Sequence, residues 1–261
     1  MIVVKFGGHA MVDESGGFAQ AISAAQKTGE SVVVVHGGGP QIDRAVKEAG
    51  IASGFIGGFR VTTPEIFKIV ERVLTQEVGP RVAKALNDSG IRAQAISGRD
   101  LPTISSQKKT QLVDGSVTDL GLVGDVVSIN ISQVMELVEN GTVPVIAPIS
   151  AEIGSDNGLN VNADLAAASL AGALDASVLI IMTDVPGIYK HWPDTSSLIE
   201  SITSQELEAI KSDFSQGMAP KVQAALDAIA HGARAVRIID GTDPLSFAAA
   251  LVGTGGTLVL A

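Results

Sequence analysis

Short runs of β-branched residues recur along the chain, and between them apolar positions return every three or four residues. Val3-Val4-Lys5-Phe6 and Val32-Val33-Val34-Val35 read as strands buried in a sheet covered on both sides. Helical spacing predicts helices over 17–28 and 41–49. After a glycine-rich segment at 54–58, Pro64 suits a first helical turn and the periodicity runs on towards Asn87. Gly79-Pro80 falls inside that helix and is expected to kink it, because proline lacks an N–H. Ala93 to Ile96 reads as another buried strand. From Leu101 to Ile131, Thr, Ser, Gly and Asp separate short alternating runs, which predicts β-hairpins inserted at one sheet edge. The alternation then resumes: helix 131–139, strand 143–146, helix 163–174, strand 177–183, helices 205–211 and 219–232, strand 235–239, helix 244–251, strand 257–260. This order predicts an α/β fold, a three-layer αβα sandwich around a mainly parallel central sheet. A single domain over 1–261 is expected, with a lobe boundary near 175–180.

Composition sharpens that picture. Abundant glycine (29 residues) and scarce aromatics (3%) suit a parallel sheet with many tight turns. The chain has no cysteine, which excludes disulfides and thiolate metal sites. Its four histidines, at 9, 36, 191 and 231, lack ligand spacing, so no metal site is expected. A net charge of −10 opposes binding to nucleic acid or an anionic membrane, and neither is an expected partner. Met1 runs straight into the first strand without a basic leader, and the longest apolar runs are too short to span a bilayer. The expectation is a soluble cytoplasmic protein. If its substrates are anions, the placement of each Lys and Arg matters more than their number.

Several segments carry candidate chemistry. Lys5-Phe6-Gly7-Gly8 puts a cation and exposed N–H groups at the carboxyl end of a strand, where open α/β sheets bind ligands. Val35-His36-Gly37-Gly38-Gly39-Pro40-Gln41 forms a second anion-receiving turn; it is neither a Walker A loop nor a dinucleotide fingerprint. Either turn alone could be a plain strand–helix connection; two after adjacent strands say more. Arg60, in Gly58-Phe59-Arg60-Val61-Thr62-Thr63-Pro64, could grip a carboxylate bidentately or form a surface salt bridge. Asn160-Val161-Asn162-Ala163-Asp164 offers three polar side chains before an Ala-rich helix, whereas a helix cap needs one. Gly217-Met218-Ala219-Pro220-Lys221 sets a lysine at a helix N-terminus, against the macrodipole, which a bound anion would offset. Met182-Thr183-Asp184-Val185-Pro186-Gly187-Ile188-Tyr189 follows an apolar strand and could cover an adenine ring.

In this order, from Lys5 to Thr257, these elements resemble the amino acid kinase superfamily, and within it the branch that phosphorylates N-acetyl-L-glutamate. The resemblance implies transfer of the γ-phosphoryl group of ATP, with Mg²⁺, to the acceptor's γ-carboxylate in arginine biosynthesis. It implies that Lys5 and Lys221 flank the phosphoryl group in flight and that Asp164 holds both lysines. Gly38 and Gly39 would offer N–H groups to the reacting oxygens; Arg60 and Asn160 would hold the acetylated amino-acid end. Gly7, Gly8, Asp184, Val185, Pro186, Gly187, Ile188, Tyr189, Asp213, Phe214 and Ser215 would serve the nucleotide. Residues 1–175 would form the acceptor lobe and 176–261 the nucleotide lobe. No protein metal ligand is implied, because the ATP phosphates chiefly hold the ion.

The chain departs from that family at Thr75-Gln76-Glu77-Val78-Gly79-Pro80-Arg81, where a Gly-x-x-Asn-Lys-type stretch is usual. Arginine-inhibited members resemble this chain but carry an extra N-terminal helix that interlaces dimers into hexamers; a start at the first strand goes with a homodimer lacking that feedback. A PII-type regulatory partner is not readable from the sequence. An aminoadipate-type acceptor and a non-catalytic sensor of kinase fold are the competing readings.

Overall fold

A computed structural model describes residues 1–7, 16–112, 115–214 and 218–261. Strand β1 (Ile2–Phe6) is followed by α1 (Gly17–Lys27), β2 (Val32–His36) and α2 (Gly39–Glu48). A small hairpin, β3 (Phe55–Ile56) and β4 (Phe59–Arg60), leads to α3 (Pro64–Arg72), a π-helical turn (Val73–Val78) and α4 (Gly79–Asp88). Next come β5 (Ala93–Ser97), β6 (Ile104–Lys108), β7 (Gly124–Ile129), α5 (Ser132–Glu139), β8 (Val143–Ala147), β9 (Ile149–Glu152), β10 (Gly158–Asn160) and α6 (Ala163–Ala173). The remainder is β11 (Val178–Thr183), β12 (Ser201–Thr203), α7 (Ser204–Ala209), α8 (Ala219–Ala230), β13 (Ala235–Asp240), α9 (Pro244–Leu251) and β14 (Thr257–Leu260).

The eight-stranded sheet runs β12-β14-β13-β11-β1-β2-β8-β5. All neighbours pair in parallel except β13 and β14. Alternate side chains of β1 explain the layers. Ile2, Val4 and Phe6 pack with α1 to α4 and α9, including a stack of Phe6, Phe18 and Phe247 with ring centroids 4.1 and 4.9 Å apart. Val3 packs on the other face with α5, α6 and α8. This is the αβα sandwich that the alternation predicts. The chain leaves β1 towards β2 on one side and returns to β11 on the other, so the carboxyl end of β1 is a topological switch point.

Three local differences from the sequence expectation have physical causes. The hairpins expected over 101–131 belong to a separate four-stranded sheet, β10-β9-β6-β7, completed by β9 and β10, which at only four and three residues are too short to show a period in the sequence. The kink expected at Gly79-Pro80 takes the form of the π turn, in which the Gly79 N–H bonds to Leu74 O and Pro80 opens α4 where no N–H is needed. The helix expected at 205–211 covers Ser204–Ala209, set by a capping box between Thr203 and Glu206. Thr63 caps α3 by accepting from the Ile66 N–H at 3.2 Å, which supports the helix start at Pro64. Among the described residues no helix is long and apolar enough to cross a membrane.

Helix α6 lies close to the end of α8, and Gly172 makes that possible. A Cβ there would lie 2.8 Å from His231 O and 3.0 Å from the Gly232 Cα. Backbone cannot move aside cheaply, so Gly172→Ala should destabilise the protein by about 1–3 kcal/mol, read as a lower denaturant midpoint at unchanged slope.

Candidate active site

Lys5 is the penultimate residue of β1, and its side chain folds over the turn that follows. A Cβ on Gly7 would lie 3.2 Å from Lys5 Cε and 3.4 Å from Nζ, so glycine leaves the lysine its place. The two glycine turns touch: Gly37 N–H donates to Phe6 O at 2.8 Å, and a Cβ on Gly37 would lie 3.6 Å from the Gly7 Cα.

The polar triplet before α6 divides its labour. Asn162 is the cap, accepting from the N–H groups of Asp164 (2.8 Å) and Leu165 (3.2 Å). Asn160 and Asp164 are thereby released from capping. Asn160 donates to Thr62 Oγ1 at 3.1 Å. Asp164, in the first helical turn where negative charge is favoured, puts Oδ1 3.1 Å from Lys5 Nζ. That oxygen is buried and, among the described residues, lacks a well-directed hydrogen bond, so the contact with Lys5 is chiefly one of charge.

Arg60 is buried and held from three sides. Its guanidinium pairs with Asp43 at 2.8 Å, donates to Ser53 Oγ at 2.9 Å and lies 4.6 Å from the Phe55 ring centroid. Three partners fix a flat group in one plane, which suits bidentate recognition better than a lone surface arginine would.

His36 ends β2 beneath the triple-glycine turn. Its Nδ1 lies 2.9 Å from Gly37 O, and a carbonyl only accepts, so Nδ1 carries the proton and Nε2 the lone pair. Burial pushes its pKa down to about 4.

Two clefts, each of about 300 Å³, open on opposite sides of one wall. Lys5, Gly7 and Asp164 line both. The first also takes in Gly38, Gly39, Arg60 and Asn160. The second takes in Thr183, Asp184 and Lys221. The structure thus assembles, from distant parts of the chain, the four acceptor-side residues around one cleft and both lysines around the other.

Other expected residues lie elsewhere. Among the described residues Asp164 pairs with Lys5, whereas Lys221 Nζ pairs with Asp184 Oδ1 at 3.1 Å, because α8 and the end of β11 form the far side of the second cleft. Asp184 thereby also offsets the helix N-terminus at which Lys221 sits. Val185, Ile188, Tyr189 and Phe214 are buried in the hydrophobic core, Gly187 is buried against Thr257, and Pro186 and Asp213 are exposed; none lines the second cleft. Gly8 and Ser215, and Gly217 of the lysine motif, lie outside the described residues. Sequence reasoning missed Leu74, Ala224 and Ile238 as cleft residues. Ile238 lies near the carboxyl end of β13, a position that could have been searched; Leu74 reaches the cleft only through the π turn.

The Amino acid kinase family pattern matches residues 1–240, and the chain belongs to that family. Among curated relatives, a Corynebacterium glutamicum protein named acetylglutamate kinase is 42% identical, over 100% of this chain and 90% of its own. One of that name from Bifidobacterium adolescentis is 43% identical, over 98% of this chain and 81% of its own. Among solved structures, smu.665 from Streptococcus mutans superposes with a TM-score of 0.79 at 30% identity, covering 99% of this chain and 98% of its own.

The buried histidine has a consequence for stability. The unfolded chain binds a proton at His36 near pH 6.5, whereas the folded one does so only near pH 4. Above about pH 6.5 the ring is neutral in both states, but as pH falls towards 4 the unfolded chain takes up a proton that the folded one refuses, so stability falls by up to roughly 3 kcal/mol. Unfolding free energies of the parent and His36→Asn proteins should differ in slope across this window; parallel curves would show that His36 is not buried neutral.

Proposed function

We propose that the chain transfers the γ-phosphoryl group of ATP to the side-chain carboxylate of N-acetyl-L-glutamate, giving N-acetyl-L-glutamyl 5-phosphate and ADP in arginine biosynthesis. The observation that carries this is the common wall: two clefts of similar size meet at Lys5, Gly7 and Asp164. The names of relatives at 42–43% identity support the choice of acceptor.

In this reading acetylglutamate occupies the first cleft, with Arg60 on its α-carboxylate and Asn160 on its acetylated end. Gly38 and Gly39 turn N–H groups towards the reacting oxygens. A γ-carboxylate oxygen forms the new bond to phosphorus as the bond to the ADP bridging oxygen breaks. The carboxylate is already ionised at neutral pH, so no general base is needed. Catalysis of such a loose transition state is positioning and charge neutralisation, which Lys5 and Lys221 provide from two sides. Lys221 must exchange Asp184 for phosphate oxygens as ATP enters. Asp164 orients Lys5.

The nucleotide belongs in the second cleft, beside Thr183, Asp184 and Lys221. Residues 1–175 then act as acceptor lobe and 176–261 as nucleotide lobe. Asp164 and Asp184 are hard oxygen donors of the kind that suits Mg²⁺. Each already faces a lysine, so the ion that arrives with ATP draws its ligands chiefly from the phosphates. A cytoplasmic homodimer is the setting that the family resemblance supports.

Hydroxylamine trapping with ATP and Mg²⁺ tests the assignment. Acyl phosphate should form with acetylglutamate at least about tenfold faster than with aminoadipate derivatives. Product from an aminoadipate derivative alone would move the acceptor by one methylene. Tight ATP binding with no product from any acceptor would leave a sensor.

A further inference from the structure

Three peptide groups decide which way the triple-glycine turn faces. The Gly37 N–H is taken by Phe6 O at 2.8 Å. The Gly37–Gly38 peptide is trans, so the Gly37 carbonyl and the Gly38 N–H point in opposite directions. His36 Nδ1 holds that carbonyl at 2.9 Å, and His36 is not part of the cleft wall whereas Gly38 is. Holding the carbonyl away from the cleft turns the Gly38 N–H towards it. The next peptide is fixed likewise: Gly38 O accepts from the Ile42 N–H at 2.9 Å, which releases the Gly39 N–H to the other side. Among the described residues nothing accepts a hydrogen bond from the Gly38 or Gly39 N–H.

The ring has a built seat. Gly79, the residue after the π turn, leaves room for it: a Cβ there would lie 3.0 Å from His36 Nε2 and 3.5 Å from the Ala95 Cβ. Nε2 is buried and, among the described residues, has no hydrogen-bond partner. A buried lone pair without a donor is costly, and its retention calls for a compensating role at the other nitrogen.

We propose that His36, as the neutral Nδ1–H tautomer, is a positioning residue for phosphoryl transfer. By anchoring the Gly37 carbonyl it aims the Gly38 N–H at the reacting oxygens of the acceptor. It exchanges no proton with substrate, because its free nitrogen faces Gly79. The proposal rests on the acceptor reading of the first cleft.

Kinetics of full-length His36→Leu and His36→Asn test it. Leucine removes the donor; asparagine keeps an N–H within reach of the following carbonyl. His36→Leu should lower kcat/KM for acetylglutamate by roughly tenfold or more, mostly through kcat, with the KM for ATP within about twofold. His36→Asn should recover most of the loss. Equal loss in both variants, or a parallel loss of ATP affinity, would overturn the proposal. If the leucine variant does not fold, ¹⁵N-imidazole spectra of the unaltered protein decide, with signals assigned by replacing the other histidines singly. One signal should show the neutral Nδ1–H tautomer and no titration between about pH 5.5 and 8; an Nε2–H tautomer at His36 would refute the idea. The spectra judge His36 even if no acceptor is phosphorylated, which separates this proposal from the functional assignment.

Discussion

Two anionic substrates must meet within a chain whose net charge is −10, and the rest of the site depends on how Lys5 is placed to allow it. Range decides the conflict. Fields from exposed carboxylates are screened over about 8 Å at physiological ionic strength. A cation in contact with a substrate anion acts at about 4 Å, where the attraction is about 4 kcal/mol near a protein surface and about 1 kcal/mol in bulk water. Local placement outweighs net charge, provided that the cation cannot wander. Asp164, 3.1 Å away at the start of α6, supplies that tether, and the switch point of the sheet delivers Lys5 to the junction of the two clefts.

The same economy of space governs the glycines. Gly7 leaves room for the Lys5 side chain, Gly37 lets the two turns touch, and Gly79 admits the His36 ring. Gly38 faces Leu74, whose Cδ2 would lie 2.5 Å from an added Cβ. The π turn that brings Leu74 there is capped by Gly79, so one irregularity in the long helix shapes both the cleft wall and the support beneath the turn. The π turn falls where the chain departs from the usual family stretch, at 75–81.

Much of this was legible along the chain. Doubly apolar strands announced a covered parallel sheet, the paired glycine turns said more than either alone, Lys221 broke a local rule and the Asn160–Asp164 triplet exceeded a local need, whereas Arg60 gained its weight from the company of the other motifs. Asn162 shows why the triplet was informative: with one residue assigned to the cap, the other two were surplus. What stayed hidden is what depends on tertiary proximity. Nothing local links Lys221 to Asp184 rather than to Asp164, or Leu74 to Gly38. The apolar residues at 185–189 that suggested an adenine cover turn largely into the core, because an apolar run after a strand looks the same whether it lines a cleft or fills the interior. The short strands β9 and β10 offered too few residues for a period to show.

The central claim is that phosphoryl transfer takes place at the wall shared by the two clefts, with Lys5 as the cation that serves both. Lys5→Met tests it most directly, with turnover measured alongside calorimetric binding of ATP and of acetylglutamate. The account predicts that turnover falls by about a thousandfold or more while each substrate still binds within roughly tenfold of the parent affinity, since the charge matters most in the transition state. Turnover within tenfold of the parent, or a loss explained wholly by weaker binding, would contradict it.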